Sequence, residues 1–141
     1  MLEGLGVRCL FFEHSTKGLD GISTVQDDLM LILLNDRKKN IERTIYSGAH
    51  ELGHLVLHPH LFTTDAEECE NGRDYEKEAN KFAGFFLVPS DELLGVWREE
   101  RLNRLPLFHS LLLLKRVFHV SFHCLFRRVS DLGLASVDYP V

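Results

Sequence analysis

The chain has 141 residues, of which 45% are apolar and 26% are charged, as in an ordinary globular protein with one domain. No apolar run reaches the roughly 18 residues that a membrane-spanning helix requires, so the sequence predicts no membrane span. Three cysteines, Cys9, Cys69 and Cys124, form no C-x-x-C pair, and their odd number and wide spacing predict reduced thiols in a cytoplasmic protein.

The net charge of −5 is unevenly distributed along the chain. Residues 1–97 contain 9 basic and 17 acidic side chains, whereas residues 98–128 contain 7 basic and 2 acidic ones. A solvated helical surface explains the basic segment, and we favour that interpretation. The alternative is a surface that binds nucleic acid or an acidic partner.

Residues 1–36 are predicted to be mostly β-strands. Residues 5–13 (LGVRCLFFE) are rich in apolar and aromatic side chains and are bounded by glycine and polar residues, which is typical of a strand. A short strand is predicted at residues 22–25, after a polar loop. Residues 29–34 (LMLILL) form an apolar run whose length suits a central strand with both faces buried.

The stretch from residue 41 to residue 60 contains the motif H-E-x-x-H, at His50, Glu51 and His54. On a helix, residues four apart lie on the same face, so both imidazoles can bind one Zn²⁺. The glutamate beside them can take a proton from a water that the metal activates. The motif therefore predicts a catalytic zinc site.

Apolar residues around the motif recur at spacings of three and four, which predicts a helix with a buried stripe. Asn40 is the candidate N-cap, and Pro59 ends the helix. The predicted stripe consists of Ile41, Ile45, Ala49, Leu52 and Val56.

Residues 40–141 are predicted to be mostly helical. The second helix (DYEKEANKFAGFFL) is capped by Asp74 and stopped by Pro89. Three further helices are predicted: one that begins at Ser90, one at residues 105–118, and one that is capped by Ser121 and ends near Gly133.

A catalytic zinc usually takes three protein ligands, so the motif needs a third. The candidates are His58, His60, Glu76 and Glu78. His58 continues the i, i+4 spacing of the motif but lies one turn further along, where we expect it to point past the metal. His60 has the spacing of the third histidine in H-E-x-x-H-x-x-G-x-x-H, but that pattern requires glycine where this chain has Leu57.

Glu76 is the candidate that helical geometry favours. At 100° per residue it lies about 60° from the centre of the apolar stripe of the second helix, whereas Glu78 lies about 100° from it. Glu76 is therefore predicted to lean toward the interior, where a metal would offset the cost of a buried carboxylate. Asn80 lies on the same side of that helix and could orient a ligand imidazole by a hydrogen bond.

Two motifs together resemble a known family. Residues 43–58 (RTIYSGAHELGHLVLH) followed by residues 76–89 (EKEANKFAGFFLVP) are similar to the ImmA/IrrE metallopeptidases, whose pattern is A-H-E-L-G-H, then E-x-x-A-N-x-F-A, then an apolar pair before proline. The aromatic–threonine pair usual before the first motif is Tyr46-Ser47 here, and the usual Leu-Met-Pro ending is Leu87-Val88-Pro89. Neither departure falls on a predicted ligand.

The resemblance implies an α+β, zincin-like fold: a small N-terminal β-sheet followed by a helical bundle that carries the H-E-x-x-H helix. It also implies that His50, His54 and Glu76 bind zinc, that Glu51 is the general base, and that the substrate is a transcriptional repressor. The family commonly has a further helix before its first strand. We therefore expect residues 1–141 to be a single domain, excised from a longer protein that carries a DNA-binding segment upstream.

The predicted function is thus zinc-dependent hydrolysis of a peptide bond in a cytoplasmic regulator. An acidic stretch at residues 65–70 is predicted to border the cleft and to favour a basic segment of the substrate. The donor that stabilises the oxyanion is open among Tyr46, His58, Tyr75 and His109.

Two alternatives belong to other classes. Residues 105–133, with F-H-V-S between two helical runs, resemble a helix-turn-helix DNA-binding module. Against this, the spacing of four apolar residues in the last helix is typical of a buried core: Phe122, Leu125, Phe126 and Val129. We therefore predict that direct nucleic-acid binding is not the main activity. The other alternative, a zinc-bound interaction module that hydrolyses nothing, has no use for Glu51.

Overall fold

The computed structural model describes residues 3–37, 40–62 and 74–135. In these ranges a three-stranded sheet precedes five α-helices, which confirms the predicted α+β class. The strands are β1 (Val7–Phe12), β2 (Gly21–Gln26) and β3 (Leu29–Asn35), and the helices are α1 (Ile41–Leu57), α2 (Tyr75–Leu87), α3 (Ser90–Glu99), α4 (Leu107–Phe118) and α5 (Phe122–Asp131). The chain divides into two compact units, Met1–Ala83 and Gly84–Val141, and the boundary falls within α2. A single domain over residues 1–141 stays a prediction.

The sheet has the order β1-β3-β2, with β3 parallel to β1 and antiparallel to β2. Asp27 and Asp28 join β2 to β3 with φ values of 48° and 64°, both in the left-handed region that a tight hairpin requires. The central position of β3 agrees with the prediction, but burial on both faces does not. Ile32 and Leu34 are buried, whereas Leu29 is exposed at the strand's start. Because α1 packs on β2 and β3, burial follows alternate residues of the strand.

The loop before β2 is fixed to both β3 and α1. The Asn35 side chain donates to the carbonyl oxygens of His14 (3.0 Å) and Leu19 (2.8 Å). Arg43 of α1 makes a two-pronged ion pair with Asp20, in which Nε lies 3.0 Å from Oδ1 and Nη2 contacts Oδ2. The hydrogen bonds to Asp20 raise the pKa of Arg43 above its ordinary value. These contacts hold the start of β2 beside the helix that carries the motif.

Helix α1 begins and ends as predicted: Asn40 Oδ1 accepts from the Arg43 backbone N–H at 3.1 Å, and the last helical residue, Leu57, precedes Pro59 by two. The predicted buried stripe is wrong at three of its five positions, since Ile41, Ile45 and Val56 are exposed. The helix instead turns small residues and the motif itself inward. Its buried residues are Gly48, Ala49, Leu52, Gly53, His54 and Leu55.

The second unit is built from α3, α4 and α5. Its buried apolar side chains include Val88, Leu93, Trp97, Leu102, Leu111, Leu114, Val120, Leu125 and Val129. Ser121 caps α5 by accepting from the Cys124 backbone N–H at 3.2 Å, as predicted, and the chain turns at Gly133 with φ +63°. Helix α4 begins at Leu107 rather than residue 105 because Pro106 is its N-cap. No described helix is both long and apolar enough to cross a membrane.

Two residues of the basic segment 98–128 are not where the sequence places them. Arg128, counted as a surface charge, is 1% exposed and donates to Val88 O (3.0 Å) and Ser90 Oγ (2.9 Å). Phe122, predicted as a core residue of α5, is 37% exposed. Burial of Arg128 removes one cation from the surface that a helix-turn-helix interpretation requires.

Candidate metal centre

A close approach of α1 and α2 brings the predicted ligands together. A Cβ atom at Gly53 would lie 3.2 Å from Ala79 Cα and 3.3 Å from Ala79 O, which is tighter than ordinary van der Waals contact. Ala79 itself is fully buried. Glycine at position 53 therefore allows the two backbones to pack at this separation. As a result Glu76, in the first turn of α2, faces the histidines of α1.

Candidate ligand atoms of three residues converge between the helices. The Nε2 atoms of His50 and His54 are 3.1 Å apart, and the two oxygens of Glu76 lie 3.2 Å from His50 Nε2 and 3.2 Å from His54 Nε2. In a tetrahedral zinc site, bonds of about 2.0–2.1 Å place neighbouring ligand atoms about 3.3 Å apart. The separations in this cluster fit that geometry, and two imidazoles with one carboxylate are a donor set of catalytic zinc sites. Among the described residues, these three form the group that could hold a metal ion.

On the His50 side, the second ring nitrogen is held by an amide. His50 Nδ1 lies 3.1 Å from Asn80 Oδ1, so the imidazole donates from Nδ1 and presents Nε2 to Glu76. The hydroxyl of Tyr46 lies 3.2 Å from the same oxygen and donates to it. Asn80 thus contacts one of the two imidazoles, and its predicted role in orienting a metal ligand stays a prediction.

On the His54 side, the second ring nitrogen meets another histidine. His54 Nδ1 lies 3.0 Å from His58 Nδ1, and His58 Nε2 lies 3.0 Å from Glu78 Oε2. His58 is fully buried. His58 lies outside the group of candidate metal ligands, but its ring contacts one of them, His54.

Burial lowers the pKa of His54 below its ordinary value, and a positive charge on His50 would lower it further. The carboxylates of Glu76 and Glu51 act in the opposite direction. The net shift favours the neutral imidazole, which is the form that binds metals.

Glu51, the predicted base, is held by strand β2 rather than by the other motif residues. Ser23 Oγ donates to Glu51 Oε2 at 2.6 Å. A Cβ atom at Gly21 would lie 3.0 Å from Glu51 Cγ, so glycine at this position makes room for the side chain. The other carboxylate oxygen, Oε1, accepts no hydrogen bond from a described residue and can accept a proton.

These groups line one cleft of about 550 Å³. One wall is the loop and strand from Gly18 to Ser23, and the floor is α1 from Tyr46 to His54. Glu76 and Asn80 of α2 complete the site. The cleft therefore brings together His50, His54 and Glu76, which could hold a metal ion, and Glu51, the predicted general base.

The orientation of Glu76, the predicted third ligand, differs from the prediction. Glu76 does not lean toward the interior, since its side chain is 73% exposed, and Glu78 is the more buried of the two at 35%. The ligand atoms meet because Glu76 reaches over the histidines from the open side of the cleft. His60 lies outside the cluster, with Nε2 at 3.3 Å from the Tyr75 hydroxyl.

Sequence reasoning missed three residues at this site, Gly21, Ser23 and Gly53, and it did not pair His58 with Glu78. A glycine inside a helix that also carries H-E-x-x-H is a signal for close helix packing, and it could have identified Gly53. Ser23 and Gly21 gave no signal, because nothing local to the sequence places β2 beside Glu51. The acidic stretch at residues 65–70 lies outside the described residues.

One family of known proteins matches most of the chain. No curated protein matches the chain. The model of the Peptidase_M78 family, described as the IrrE N-terminal-like domain, matches residues 2–130. This range includes the three strands and the two helices, α1 and α2, that carry the candidate metal ligands. A match of this extent confirms the resemblance seen in the sequence and supports a metallopeptidase-type function. The chain belongs to the IrrE N-terminal-like domain family of peptidases.

Proposed function

We propose that the protein is a zinc-dependent endopeptidase that hydrolyses a peptide bond in a cytoplasmic regulator, a helix-turn-helix transcriptional repressor. The observation that carries the proposal is the convergence of His50, His54 and Glu76 at 3.1–3.2 Å in the cleft that also contains Glu51. In this assignment His50, His54 and Glu76 hold the zinc. When bound, the metal supplies Lewis-acid polarisation of the scissile carbonyl and acidifies a water molecule.

Glu51 is the general base in this mechanism. Its Oε1 takes the proton of the attacking water and afterwards delivers it to the amine that leaves. Ser23 holds Oε2 at 2.6 Å and so fixes the plane of the carboxylate. Gly21 has no side chain and so leaves room for the Glu51 methylene groups beside β2.

Tyr46 is the group that we assign to stabilise the oxyanion. Of the four candidates left open by the sequence, it is the one that lines the cleft. His58 is fully buried, and the Tyr75 hydroxyl contacts His60 at 3.3 Å. The Tyr46 hydroxyl can turn from Asn80 toward a developing negative charge, which a positioned donor stabilises.

The cleft suits an extended and basic segment of polypeptide. Strand β2 lies at the edge of the described sheet and lines the cleft with Gly21, Ile22 and Ser23, so a substrate strand can pair along it. The charged residues of the described lining are Asp20, Glu51 and Glu76, with no lysine or arginine among them. DNA-binding proteins carry basic segments, which such a lining attracts.

A cytoplasmic location is consistent with the thiols. Neither Cys9 nor Cys124 forms a disulfide bond with a described residue. Reduced cysteines are the rule in the compartment where transcriptional repressors act.

The test compares two substrates and two enzymes. Zinc-loaded protein is incubated with the repressor encoded beside it and, separately, with casein, and the products are followed by gel electrophoresis and mass spectrometry. We expect one cut in the repressor and intact casein. The control enzyme is Glu51→Gln, which should retain one zinc per chain and cleave at least about 100-fold more slowly, because only the base is removed.

Each arm can contradict the proposal separately. Rapid digestion of casein with the repressor intact would defeat the assigned substrate. Cleavage by Glu51→Gln at the parent rate would show that Glu51 is not the base.

A further inference from the structure

The buried Nδ1 atom of His54 needs a hydrogen-bond partner that the candidate metal ligands do not supply. His54 is 9% exposed, and its Nε2 faces His50 and Glu76. A neutral imidazole with its lone pair on Nε2 carries its proton on Nδ1, and a buried N–H needs an acceptor. The atom within reach is His58 Nδ1, at 3.0 Å.

A histidine can accept at Nδ1 only when its own proton is on Nε2. His58 Nε2 lies 3.0 Å from Glu78 Oε2, and an ionised carboxylate can only accept. Glu78 therefore fixes the proton of His58 on Nε2 and leaves the Nδ1 lone pair for His54. The three groups form a chain in which every hydrogen bond has one donor and one acceptor, and its direction is set at Glu78.

We infer that His58 and Glu78 are positioning residues for the metal ligand His54: Glu78 sets the tautomer of His58, and His58 holds the Nε2 lone pair of His54 toward Glu76. This extends the arrangement in which a carboxylate orients a metal-binding histidine, by placing one imidazole between them. The inference rests on the proposed metal centre. It assigns to Glu78 a function that its place in the sequence did not suggest.

The surroundings of His58 hold it in one orientation. The ring is fully buried, and the ring of Tyr75 packs edge-on against it with centroids 4.8 Å apart. The opposite ligand, His50, has a simpler arrangement with one amide oxygen, Asn80 Oδ1, at 3.1 Å. A carboxylate makes a stronger hydrogen bond than an amide oxygen, so His58, the acceptor for His54, is itself held by the stronger kind of acceptor.

A purely structural explanation has to be separated from this one. The His58–Glu78 contact also ties the end of α1 to the first turn of α2, so its loss could loosen the helix pair without any specific effect on the metal. The variants must therefore differ in hydrogen-bonding capacity while the backbone is kept. Glu78 is suited to this because its side chain is 35% exposed, unlike the fully buried His58.

The experiment measures zinc affinity by competition with a chromogenic chelator in the parent, Glu78→Ala and Glu78→Gln. Loss of a residue that orients a ligand typically costs about 10- to 100-fold in metal affinity, so we expect Glu78→Ala to bind zinc at least about 10-fold more weakly. Glutamine retains an oxygen that can accept from His58 Nε2–H, but its NH₂ group can also donate, so its affinity should lie between those of the parent and Glu78→Ala. The matched control is Glu92→Ala, which removes an exposed glutamate from the first turn of α3 and should leave zinc affinity unchanged.

The second readout is the tautomer of each histidine, measured by long-range ¹H–¹⁵N correlation in the zinc-loaded protein. We expect the proton of His58 on Nε2 and that of His54 on Nδ1 in the parent. A His58 proton on Nδ1, or equal zinc affinity in Glu78→Ala and the parent, would overturn the inference. Equal losses of affinity in Glu78→Gln and Glu78→Ala would also overturn it. None of these results depends on peptide cleavage, so an inactive parent with intact zinc affinity would contradict the proposed function alone.

Discussion

Among the described residues, each of the two units has a polar cluster that contains an almost fully buried side chain, and the two clusters end differently. In the first unit, the His54 cluster consists of His54, His58 and Glu78. In the second unit, the Arg128 cluster consists of Arg128 with Val88 O at 3.0 Å, Ser90 Oγ at 2.9 Å and Asp131 Oδ2 at 3.4 Å. The Arg128 guanidinium also lies over the ring of Phe85, 3.8 Å from its centroid.

The Arg128 cluster is complete in itself, since each guanidinium nitrogen donates to an acceptor of its own unit. In the His54 cluster, hydrogen bonds run from His54 through His58 to Glu78. At the other end of this cluster, His54 Nε2 lies beside His50 and Glu76 in a cleft. Both clusters bury a polar side chain almost fully. The two clusters therefore differ in whether a polar atom faces a cleft: His54 Nε2 does, whereas the Arg128 nitrogens donate within their own unit. Burial of a polar side chain alone does not identify a functional site.

The largest effect that we predict is the loss of zinc from His50→Ala. Removing one of three ligands should cost roughly a third of the roughly 12 kcal/mol typical of protein zinc sites, or about 4 kcal/mol. That corresponds to about a thousandfold weaker binding. The parent should carry close to one zinc per chain after dialysis, measured by atomic emission, and the variant should carry almost none and cleave nothing.

The metal-free forms provide the control for His50→Ala. His50 is half-buried, and among the described residues its hydrogen-bond partner besides His54 and Glu76 is Asn80. The free energies of unfolding of metal-free parent and variant should therefore agree within about 1 kcal/mol. Stoichiometric zinc in His50→Ala would show that the metal, if bound, is held elsewhere.

Much of the fold and of the candidate site could be predicted from local sequence. The caps at Asn40 and Ser121 depend on side chains within three residues of the helix start, and they were found. The H-E-x-x-H residues share a helix face by geometry alone. The same local reasoning placed Ile41 in the core and Arg128 on the surface, and both are wrong.

The errors have one physical cause. Which face of α1 is buried is decided by the sheet and by α2, and neither is encoded in the spacing within α1. The inward face carries Gly53, because the backbone of Ala79 lies where a side chain would stand. Arg128 is buried because Val88 O and Ser90 Oγ, about forty residues earlier in the chain, supply its acceptors. Contacts at that separation in sequence leave no periodic signal.

A substitution at Arg128 tests how much the Arg128 cluster contributes to the stability of the second unit. Arg128→Met keeps much of the side chain's length and its packing on Phe85, but it leaves the Val88 carbonyl without its donor. A buried group that loses its partner costs about 1–3 kcal/mol, and two further hydrogen bonds are lost, so we expect a loss of about 3 kcal/mol. Urea unfolding followed by the fluorescence of Trp97, the single tryptophan and a buried residue of this unit, measures it.

The neighbouring arginine is the matched control. Arg127 is exposed, and Arg127→Met should change the free energy of unfolding by less than about 0.5 kcal/mol. Equal effects of the two substitutions would mean that the Arg128 cluster contributes nothing specific to stability.

The smallest effect concerns Cys124, which tests whether the second unit holds a reactive group. A cation near a thiol lowers the pKa of that thiol and can activate it as a nucleophile. Arg128 acts on Cys124 in this direction, but burial outweighs it and raises the pKa of Cys124 from 9.0 to about 11. At neutral pH the thiol therefore stays protonated, and Arg128 does not activate it as a nucleophile.

A raised pKa in the folded state has a defined consequence for stability. The folded protein holds the thiol proton more tightly than the unfolded chain, so the contribution of Cys124 is complete below about pH 9 and is lost as the pH rises toward about 11. At pH 10 the loss should be about 1 kcal/mol relative to pH 8. Because tyrosine and lysine residues also titrate in this range, the measurement is the difference between the parent and Cys124→Ala in urea unfolding at the two pH values. The parent should lose more stability than the variant, and parallel losses in the two proteins would show that the Cys124 thiol is not held protonated by burial.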